Sequence, residues 1–215
     1  MPVKLIDIFN TLDPCKCPFK YNFHCHTTYS DGSLSVKELL LQAIQIGLEH
    51  ISITDHHTIA AHNELNMIYK DNPNLVNSCP VIWSGIEISC LLNRSLVHVL
   101  GYGFSLDSKF MDPYITSMPP VDSYLMAESV VKAIHLSGGY AVLAHPARYR
   151  ANYKNLIKHA NQLGFDGIES WYDYERSQEW RPSPLICDSI DSYSTQLGMF
   201  STCGTDTHGF SLISR

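Results

Sequence analysis

Seven short apolar segments recur along the chain, and they constrain its fold more than any other feature. Each is rich in Ile, Val, Tyr or Phe and bounded by Gly, Pro, Asp or Ser, which is typical of a buried strand. The predicted strands span residues 21–27, 50–55, 81–89, 96–104, 140–145, 165–171 and 199–205. Segments with a helical apolar period lie between most of them and predict helices over residues 35–48, 58–69, 121–137, 150–163 and 183–196.

This alternation of strands and helices predicts an α/β protein. Repeated strand–helix units pair their strands in parallel, in a sheet or a barrel, and about seven strands in 215 residues fit one small barrel better than two domains. Residues 90–95 form a short polar link, so the third and fourth strands are expected to form a hairpin or meander. We assign residues 1–20 to an N-terminal extension and residues 21–215 to the barrel domain. Residues 210–215 are too short for a closing helix, so either the barrel ends there or the chain belongs to a longer one.

Charge, apolar runs and cysteines exclude several classes of protein. The formal net charge of −6 argues against a protein that binds long duplex nucleic acid, but local basic clusters remain suited to a small phosphate. No apolar run approaches the ~18 residues of a membrane helix and no secretory signal is found, so a cytoplasmic protein is expected. Its 7 cysteines are then expected to be reduced. Cys15 and Cys17 lack a second cysteine pair at zinc spacing, which favours a plain N-terminal loop over half a metal site.

Histidine is frequent, with 11 residues against 15 lysines and arginines, and its distribution is uneven. Six histidines and several carboxylates lie within or just after the predicted strands: His24, His26, Asp31, Asp55, His56, Glu87, His98, His145, Glu169, Asp206 and His208. Residues two apart in a strand share a face, so His24 and His26 point together, as do Asp206 and His208. Barrel enzymes carry their chemistry at the carboxyl ends of the strands. Because burying so many polar rings without partners is costly, we interpret this set as a shared metal cluster.

The donor types restrict the metal. Imidazoles mixed with carboxylates favour Zn, Mn or Fe over Mg, which prefers oxygen ligands alone. About nine ligands are too many for one ion, so two or three divalent ions with bridging carboxylates are expected, and such a site lowers the pKa of a bridging water. By strand parity Cys25 points away from the site, and His57 has the opposite parity to the adjacent histidine.

The motifs resemble those of a known family, in the same order. HCHTTYSDG at residues 24–32 and ITDH at residues 53–56 resemble the opening signature of the PHP family, named for polymerase and histidinol phosphatase domains. GIE at residues 85–87, His98, AHP at residues 144–146 and GTDTH at residues 204–208 resemble its later motifs. The resemblance covers about residues 21–209. It implies a distorted (β/α)7 barrel that holds two or three metal ions and hydrolyses phosphoesters.

Matched residue by residue, the resemblance also implies the metal ligands. Glu87 would bridge two ions. The other ligands would be His24, His26 and Asp206 on one ion, His98 and His145 on the second, and Asp31, His56 and His208 on the third. Members similar to this chain act on small phosphates, such as nucleotides with a 3′ or 5′ phosphate, or on short oligonucleotides.

The sequence constrains the acid–base and substrate-binding residues less than it constrains the metal ligands. His57, Asp55 and His208 are the candidates for protonating the leaving group. In nucleotide-hydrolysing relatives the residue at position 57 is often Asp, so its replacement by His leaves this role open. Arg148 follows a ligand by three residues, where a guanidinium can bind a phosphate in bidentate fashion. Tyr172 is a candidate for stacking on a base, with ordinary packing the favoured alternative.

Three functions are compatible with these residues. The leading expectation is a metal-dependent phosphoesterase in which a metal-bound hydroxide attacks a nucleotide, a short oligonucleotide or a phosphorylated metabolite. An amidohydrolase-type hydrolase would normally need a carbamylated lysine on a middle strand, and no predicted strand contains a lysine. A metal-binding accessory or regulatory domain of a larger protein is the third possibility, but the complete ligand set argues against it. The sequence leaves the oligomeric state open.

Overall fold

The computed structural model describes residues 4–177 and 179–215, which contain eight strands and six α-helices. The strands are β1 (Tyr21–Asn22), β2 (His50–Ser52), β3 (Val81–Trp83), β4 (Gly85–Leu92), β5 (Ser95–Tyr102), β6 (Tyr140–Leu143), β7 (Gly167–Trp171) and β8 (Phe200–Cys203). The helices are α1 (Leu5–Asn10), α2 (Val36–Ile46), α3 (Ala60–Asp71), α4 (Ala127–Leu136), α5 (Tyr153–Gln162) and α6 (Pro184–Gln196). Residues 1–3 of the predicted N-terminal extension lie outside the described ranges. Within those ranges, every helix is too short or too polar to cross a membrane.

The strands form two sheets. In the first sheet, β1, β2 and β3 pair in parallel. In the second sheet, ordered β4-β5-β6-β7-β8, β5 is antiparallel to both neighbours and the last three strands are parallel. The α/β class and the hairpin between the third and fourth predicted strands are therefore confirmed. The parallel pairing expected from the strand–helix repeats is found within β1–β3 and within β6–β8, whereas β5 is antiparallel to both neighbours because the β4–β5 link is too short for a crossover.

A closed (β/α)7 barrel is not confirmed, because no continuous ladder joins the two sheets within the described residues. Only isolated bridges connect their edges, between Cys25 and Thr207 and between His56 and Glu87. These bridges nevertheless bring the carboxyl ends of β1 and β2 beside β8 and β4. The functional consequence is that strand ends from both sheets meet in one place.

The third predicted strand, residues 81–89, divides into β3 and β4. β2 pairs with β3 along its length, and the segment after β2 then bonds to β4, where the Glu87 N–H donates to the Asp55 carbonyl at 3.2 Å. Gly85 opens β4, and a Cβ at this position would contact the Ser52 side chain and the Ile53 carbonyl. The absence of a side chain thus allows one predicted strand to serve two sheets.

Local signals account for most helix boundaries. α2 begins with a capping box in which Ser35 accepts from the Glu38 N–H and Glu38 accepts from the Ser35 N–H, and it ends at Gly47 with φ 79°. The predicted helix over residues 121–137 begins later, at Ala127. Asp122 has φ 53°, and residues 122–125 form a 3₁₀ turn instead of the first turn of the α-helix.

Short helix α1 carries no sequence signal and was not predicted. Its Leu5 and Phe9 are buried against Phe23 and Tyr102, and the ring of Phe9 stacks on Phe200 with centroids 4.8 Å apart. A helix of this length is unstable alone, so tertiary packing holds it in place.

The contact between β8 and the segment after β1 depends on a missing side chain. A Cβ at Gly204 would contact the backbone and Cβ of His24, so Gly204→Ala is expected to lower the free energy of unfolding by about 1–3 kcal/mol. Gly209→Ala is the matched control, because a Cβ there has no neighbour within 4 Å. Urea unfolding of both variants measures the difference. Equal free energies of unfolding for the two variants would contradict the close approach of Gly204 to His24.

Candidate metal centre

Ligand-type side chains from both sheets meet at the carboxyl ends of the strands. Glu87 lies in β4 and His98 in β5, and the other predicted ligands lie in the segments that follow β1, β2, β6 and β8. All nine predicted ligands fall within side-chain groups whose donor atoms lie within 4.8 Å of one another: His24, His26, Asp31, His56, Glu87, His98, His145, Asp206 and His208. The structure thus brings the complete predicted set together.

Hydrogen bonds between the segments that follow β1 and β8 fix the positions of His24 and His26. The Asp206 N–H donates to the His24 carbonyl at 2.8 Å, and the His26 N–H donates to the Thr207 carbonyl at 3.2 Å. Cys25, between the two histidines, points the other way and donates its thiol to the Ser52 carbonyl at 3.3 Å. The strand period therefore places both imidazoles on the interior side, as predicted.

Three residues at these strand ends have backbone conformations that are uncommon for non-glycine residues. The φ angle is 55° at His57, 28° at His145 and 51° at Asp206. Such strain persists only where surrounding structure holds it, and it clusters at functional sites. Here each bend occurs where the chain leaves a strand beside the cluster.

Four donor atoms form the tightest group. His24 Nε2 and His26 Nε2 lie 3.1 Å apart, and each lies 3.0–3.1 Å from Glu87 Oε2 and 3.3 Å from Asp206 Oδ1. All four side chains are buried. This group is an enclosed set of two imidazoles and two carboxylates around one point.

Glu87 also faces a second group through its other oxygen. His98 Nδ1 lies 2.7 Å and His145 Nε2 lies 3.3 Å from Oε1. His56 Nε2 approaches Oε2 at 3.5 Å. The carboxylate of Glu87 therefore lies between two sets of imidazoles.

Asp31 is the centre of a third, more exposed group. Its carboxylate lies 3.2 Å from His208 Nε2 and 3.6 Å from both His56 Nε2 and His26 Nδ1. Burial opposes ionisation, but these imidazoles hold the pKa of Asp31 well below its usual range. His26 and His56 each belong to two groups, so the three groups form one continuous cluster.

Strong electrostatic coupling accompanies this geometry. Burial alone would lower the pKa of both histidines, but it is outweighed by the carboxylates of Glu169, Glu87 and Asp206 at His24 and by those of Asp206 and Glu87 at His26. The pKa of His24 is raised well above its ordinary value, and that of His26 is raised to about 9. Conversely, burial opposes ionisation of Glu87 and Asp206, but the imidazoles hold the pKa of both carboxyls well below its usual range.

The donor set fits divalent metal ions. Ligand atoms at about 2.0–2.1 Å from a tetrahedral ion lie about 3.3 Å from one another, close to the spacing in the four-atom group. His145 gives further support, because both its ring nitrogens are buried and neither makes a well-aligned hydrogen bond among the described residues, although Nε2 lies 3.3 Å from Glu87 Oε1. A buried polar atom without a partner is costly, and metal ligation would remove that cost.

The two predicted acid–base residues beside the second strand occupy different surroundings. Asp55 is 1% exposed, and its carboxylate accepts hydrogen bonds from the Thr27 N–H, the Thr27 hydroxyl and the Ser30 hydroxyl at 2.6–2.7 Å. His57 lies 3.2 Å from the Ser89 hydroxyl, and burial together with neighbouring imidazoles lowers its pKa to about 4. Asp55 thus fixes the turn after β1 and lines neither cavity described below.

Asp206 has a second oxygen that faces away from the four-atom group. Oδ2 accepts from the Tyr172 hydroxyl at 2.6 Å, from Arg148 at 2.8 Å and from Arg215 at 3.2 Å. The prediction that Tyr172 stacks on a substrate base is wrong, because this side chain is fully buried. Only its aromatic type and its place at the end of the predicted sixth strand were visible in the sequence.

Glu169 is one of the carboxylates at the predicted strand ends, but the family resemblance does not imply that it is a ligand. It is fully buried on β7, accepts from His24 Nδ1 at 2.8 Å and accepts from the His145 N–H at 2.9 Å. A carboxylate on the outer nitrogen of a ligating histidine fixes its tautomer and orientation. The signal for this residue was its position late in a strand that otherwise contributes no donor.

Two cavities adjoin the cluster and share Asp31, His56 and His98 in their linings. The first, about 510 Å³, is also lined by Glu87, Arg148, Arg176, Ser177, Asp206, His208 and Arg215. The second, about 430 Å³, is also lined by Tyr29, Ser30, His57, Ser89, Ser117 and Pro119. Arg148 therefore lies where it was predicted, beside the cluster in an accessible cavity.

An α/β fold with imidazoles and carboxylates clustered at its strand ends defines the class of metal-dependent hydrolases. Within that class, the PHP domain model matches residues 22–205, and the chain belongs to this family of metal-dependent phosphoesterases.

The curated relatives share the name 5′-3′ exoribonuclease. A 5′-3′ exoribonuclease of Haemophilus influenzae is 35% identical over 184 residues, covering 80% of this chain and 64% of the relative. The 5′-3′ exoribonuclease Rnm of Escherichia coli is 28% identical, covering 87% of this chain and 85% of the relative. The chain thus spans less than two thirds of the Haemophilus protein.

Solved structures share the fold. An amidohydrolase from Chromobacterium violaceum superposes with a TM-score of 0.71, and a candidate metal-dependent phosphoesterase from Bifidobacterium adolescentis superposes with 0.68. Each comparison covers 88% of both chains at 18% sequence identity. At that identity the likeness shows the fold alone.

Tyr172→Phe tests the hydrogen bond that the outer oxygen of Asp206 accepts. Because the lost donor serves a buried carboxylate, we expect the free energy of unfolding of metal-free protein to fall by about 1–3 kcal/mol. Tyr153→Phe is the matched control, since its hydroxyl lies 2.8 Å from the Ser189 hydroxyl in a partly buried position. Urea unfolding compares the variants, and an equal loss in both would contradict a special role for Tyr172.

Proposed function

We propose that the protein hydrolyses phosphoesters in small phosphorylated substrates or short oligonucleotides, using two or three divalent ions. The observation that carries the proposal is the position of Glu87, whose two oxygens lie within 3.5 Å of nitrogens from five histidines. A carboxylate shared in this way is typical of a centre with more than one ion. Membership of the PHP family supports the same reaction class.

The proposed ligands fall into three sets of side chains, one for each ion. The first ion would be held by His24, His26 and Asp206, the second by His98 and His145, and the third by Asp31, His56 and His208, with Glu87 as a ligand shared by the first two. The distances of 3.0–3.3 Å in the four-atom group support the first assignment. The mixed donors favour Zn, Mn or Fe.

Bound divalent ions would supply an activated water and neutralise charge on the phosphate. Arg148 lines the first cavity and is proposed to bind a phosphate oxygen. Tyr172 and Arg215 also donate to Asp206 Oδ2, so Arg148 can turn towards a substrate without leaving that oxygen unpaired. His57 lines the second cavity and is the proposed acid–base residue, as a base towards the attacking water, because its lowered pKa of about 4 leaves the ring neutral near pH 7. His208 is assigned to the third ion and is therefore not free to protonate the leaving oxygen. For Asp55 we propose a positioning role instead, because Thr27 and Ser30 donate to its carboxylate.

Substrate size follows from the surroundings of the cluster. Three arginines in the first cavity, Arg148, Arg176 and Arg215, suit a phosphorylated ligand, whereas the net charge of −6 disfavours long duplex nucleic acid. The relatives named exoribonucleases support a short oligonucleotide over a metabolite.

An amidohydrolase reaction is less well supported. The fold is shared with a protein named amidohydrolase, but the described strands contain no lysine to carbamylate. A non-catalytic accessory domain is also disfavoured, because all nine predicted ligands converge on one place.

Metal-free protein reloaded with Mn²⁺ or Zn²⁺ is expected to hydrolyse p-nitrophenyl phosphate, and a screen of phosphorylated metabolites and short oligonucleotides then identifies the substrate. Glu87→Gln should lose at least one ion and reduce kcat/KM by about 100-fold or more, because it removes the shared ligand. Elemental analysis and initial rates provide the measurements. Glu128→Gln, on the exposed side of α4, is the control and should retain both. Absence of turnover on every phosphoester, with ions confirmed bound, would refute the proposal.

Ion binding is also expected to release protons. The pKa of His26 is about 9 in the metal-free protein, so this side chain is largely protonated at pH 8, whereas ligation requires its neutral form. Because the pKa is raised, the proton is lost only as pH rises through that value, and apparent metal affinity should increase with pH up to it. Calorimetry at pH 8 in buffers of different ionisation enthalpy counts the protons. Identical heats in all buffers would contradict the prediction.

A further inference from the structure

The two cavities beside the cluster differ in charge. Arg148, Arg176 and Arg215 line the first cavity, whereas no lysine or arginine is among the described residues that line the second. Both reach the cluster at Asp31 and His56. A ligand that crosses the cluster therefore passes from a cationic cavity into one with no fixed positive charge apart from its imidazoles.

Tyr29 is the aromatic side chain of the second cavity. It is 42% exposed and stands two residues before Asp31. Its N–H donates to the Thr27 hydroxyl at 3.2 Å, and that hydroxyl in turn donates to buried Asp55. The turn that carries the ring is thus anchored to the core, although the ring itself is accessible.

Another side of this cavity is held to the cluster as well. The Ser117 N–H donates to the His57 carbonyl at 2.8 Å, and Pro119 follows two residues later in the lining. Ser89 and Ser30 add hydroxyl groups. The result is a small cavity with an aromatic ring, a proline ring and several uncharged hydrogen-bonding groups.

We propose that the second cavity is a nucleoside subsite, in which Tyr29 stacks on a base of a substrate whose phosphodiester lies at the cluster. An uncharged planar base suits an accessible aromatic ring, and a volume of about 430 Å³ lies in the range of small-molecule sites. The phosphorylated part of the substrate lies in the cationic cavity. The inference rests on the proposed function and deepens it, from phosphoesters in general to diesters that occupy both cavities.

The reaction is then a simple hydrolysis. Water adds to phosphorus, the bond from phosphorus to one nucleoside oxygen breaks, and that oxygen takes up a proton. One product keeps the phosphate and the other is an alcohol. A phosphomonoester with a small leaving group needs no second cavity, so the two substrate classes separate the contributions of the cluster and of Tyr29.

Tyr29→Ala is expected to lower the ratio of kcat/KM for a dinucleotide to that for an alkyl phosphomonoester such as glycerol phosphate by about tenfold, through a higher KM for the dinucleotide, because one base loses its stacking partner. Tyr29→Phe should retain most of the ratio. Tyr124→Ala is the control, since this tyrosine is 51% exposed but lines neither cavity. In the original protein, a dinucleotide that lacks the stacked base should show the same loss, with no further loss in Tyr29→Ala.

An unchanged ratio in Tyr29→Ala would overturn the proposal, as would equal losses in Tyr29→Ala and Tyr124→Ala. Hydrolysis of p-nitrophenyl phosphate without hydrolysis of any dinucleotide would overturn it while leaving a metal-dependent phosphomonoesterase intact. A readout independent of turnover is saturation-transfer NMR with adenosine and the metal-loaded protein. Transfer to the base protons should be lost in Tyr29→Ala and kept in Tyr124→Ala; its absence in the original protein would overturn the subsite even if no phosphoester is hydrolysed.

Discussion

The carboxylate of Glu87 is buried between five imidazoles, and the arrangement of the whole centre depends on accommodating its charge. A buried carboxylate is tolerated only where opposite charges or metal ions compensate it, and here the histidines come from strands of both sheets. The backbone of Glu87 is held equally firmly, since its N–H donates to Asp55 and its carbonyl accepts from His57. The residue that joins the donor groups therefore also joins the sheets.

The two carboxylate oxygens of Asp206 face opposite sides of the centre. One oxygen faces the imidazoles, whereas the other accepts from Tyr172, Arg148 and Arg215 at 2.6–3.2 Å. Glu169 plays a comparable part for His24. These outer contacts keep the donors in place and bring arginines to the edge of the cluster. The same contacts that position the centre thus give its first cavity a cationic wall suited to phosphate.

Much of the fold was predictable because its signals are local. The capping box at Ser35 and the glycine at position 47 fix α2, and the strand period places His24 and His26 on one face. Other features have no local signal. Helix α1 exists because Phe9 finds aromatic partners distant in sequence, and the division of residues 81–89 into β3 and β4 depends on how closely Gly85 approaches Ser52.

By itself the sequence determined the α/β class, the family and the nine donors that converge, because strand periodicity and motif order are properties of the chain alone. Only the tertiary structure decided that the sheets meet through isolated bridges, that Tyr172 is buried on Asp206 instead of exposed, and that Glu169 supports His24. The physical reason is distance along the chain: these contacts join residues from 31 to 182 positions apart. No local propensity specifies such pairs, and packing and the pairing of buried charges select them.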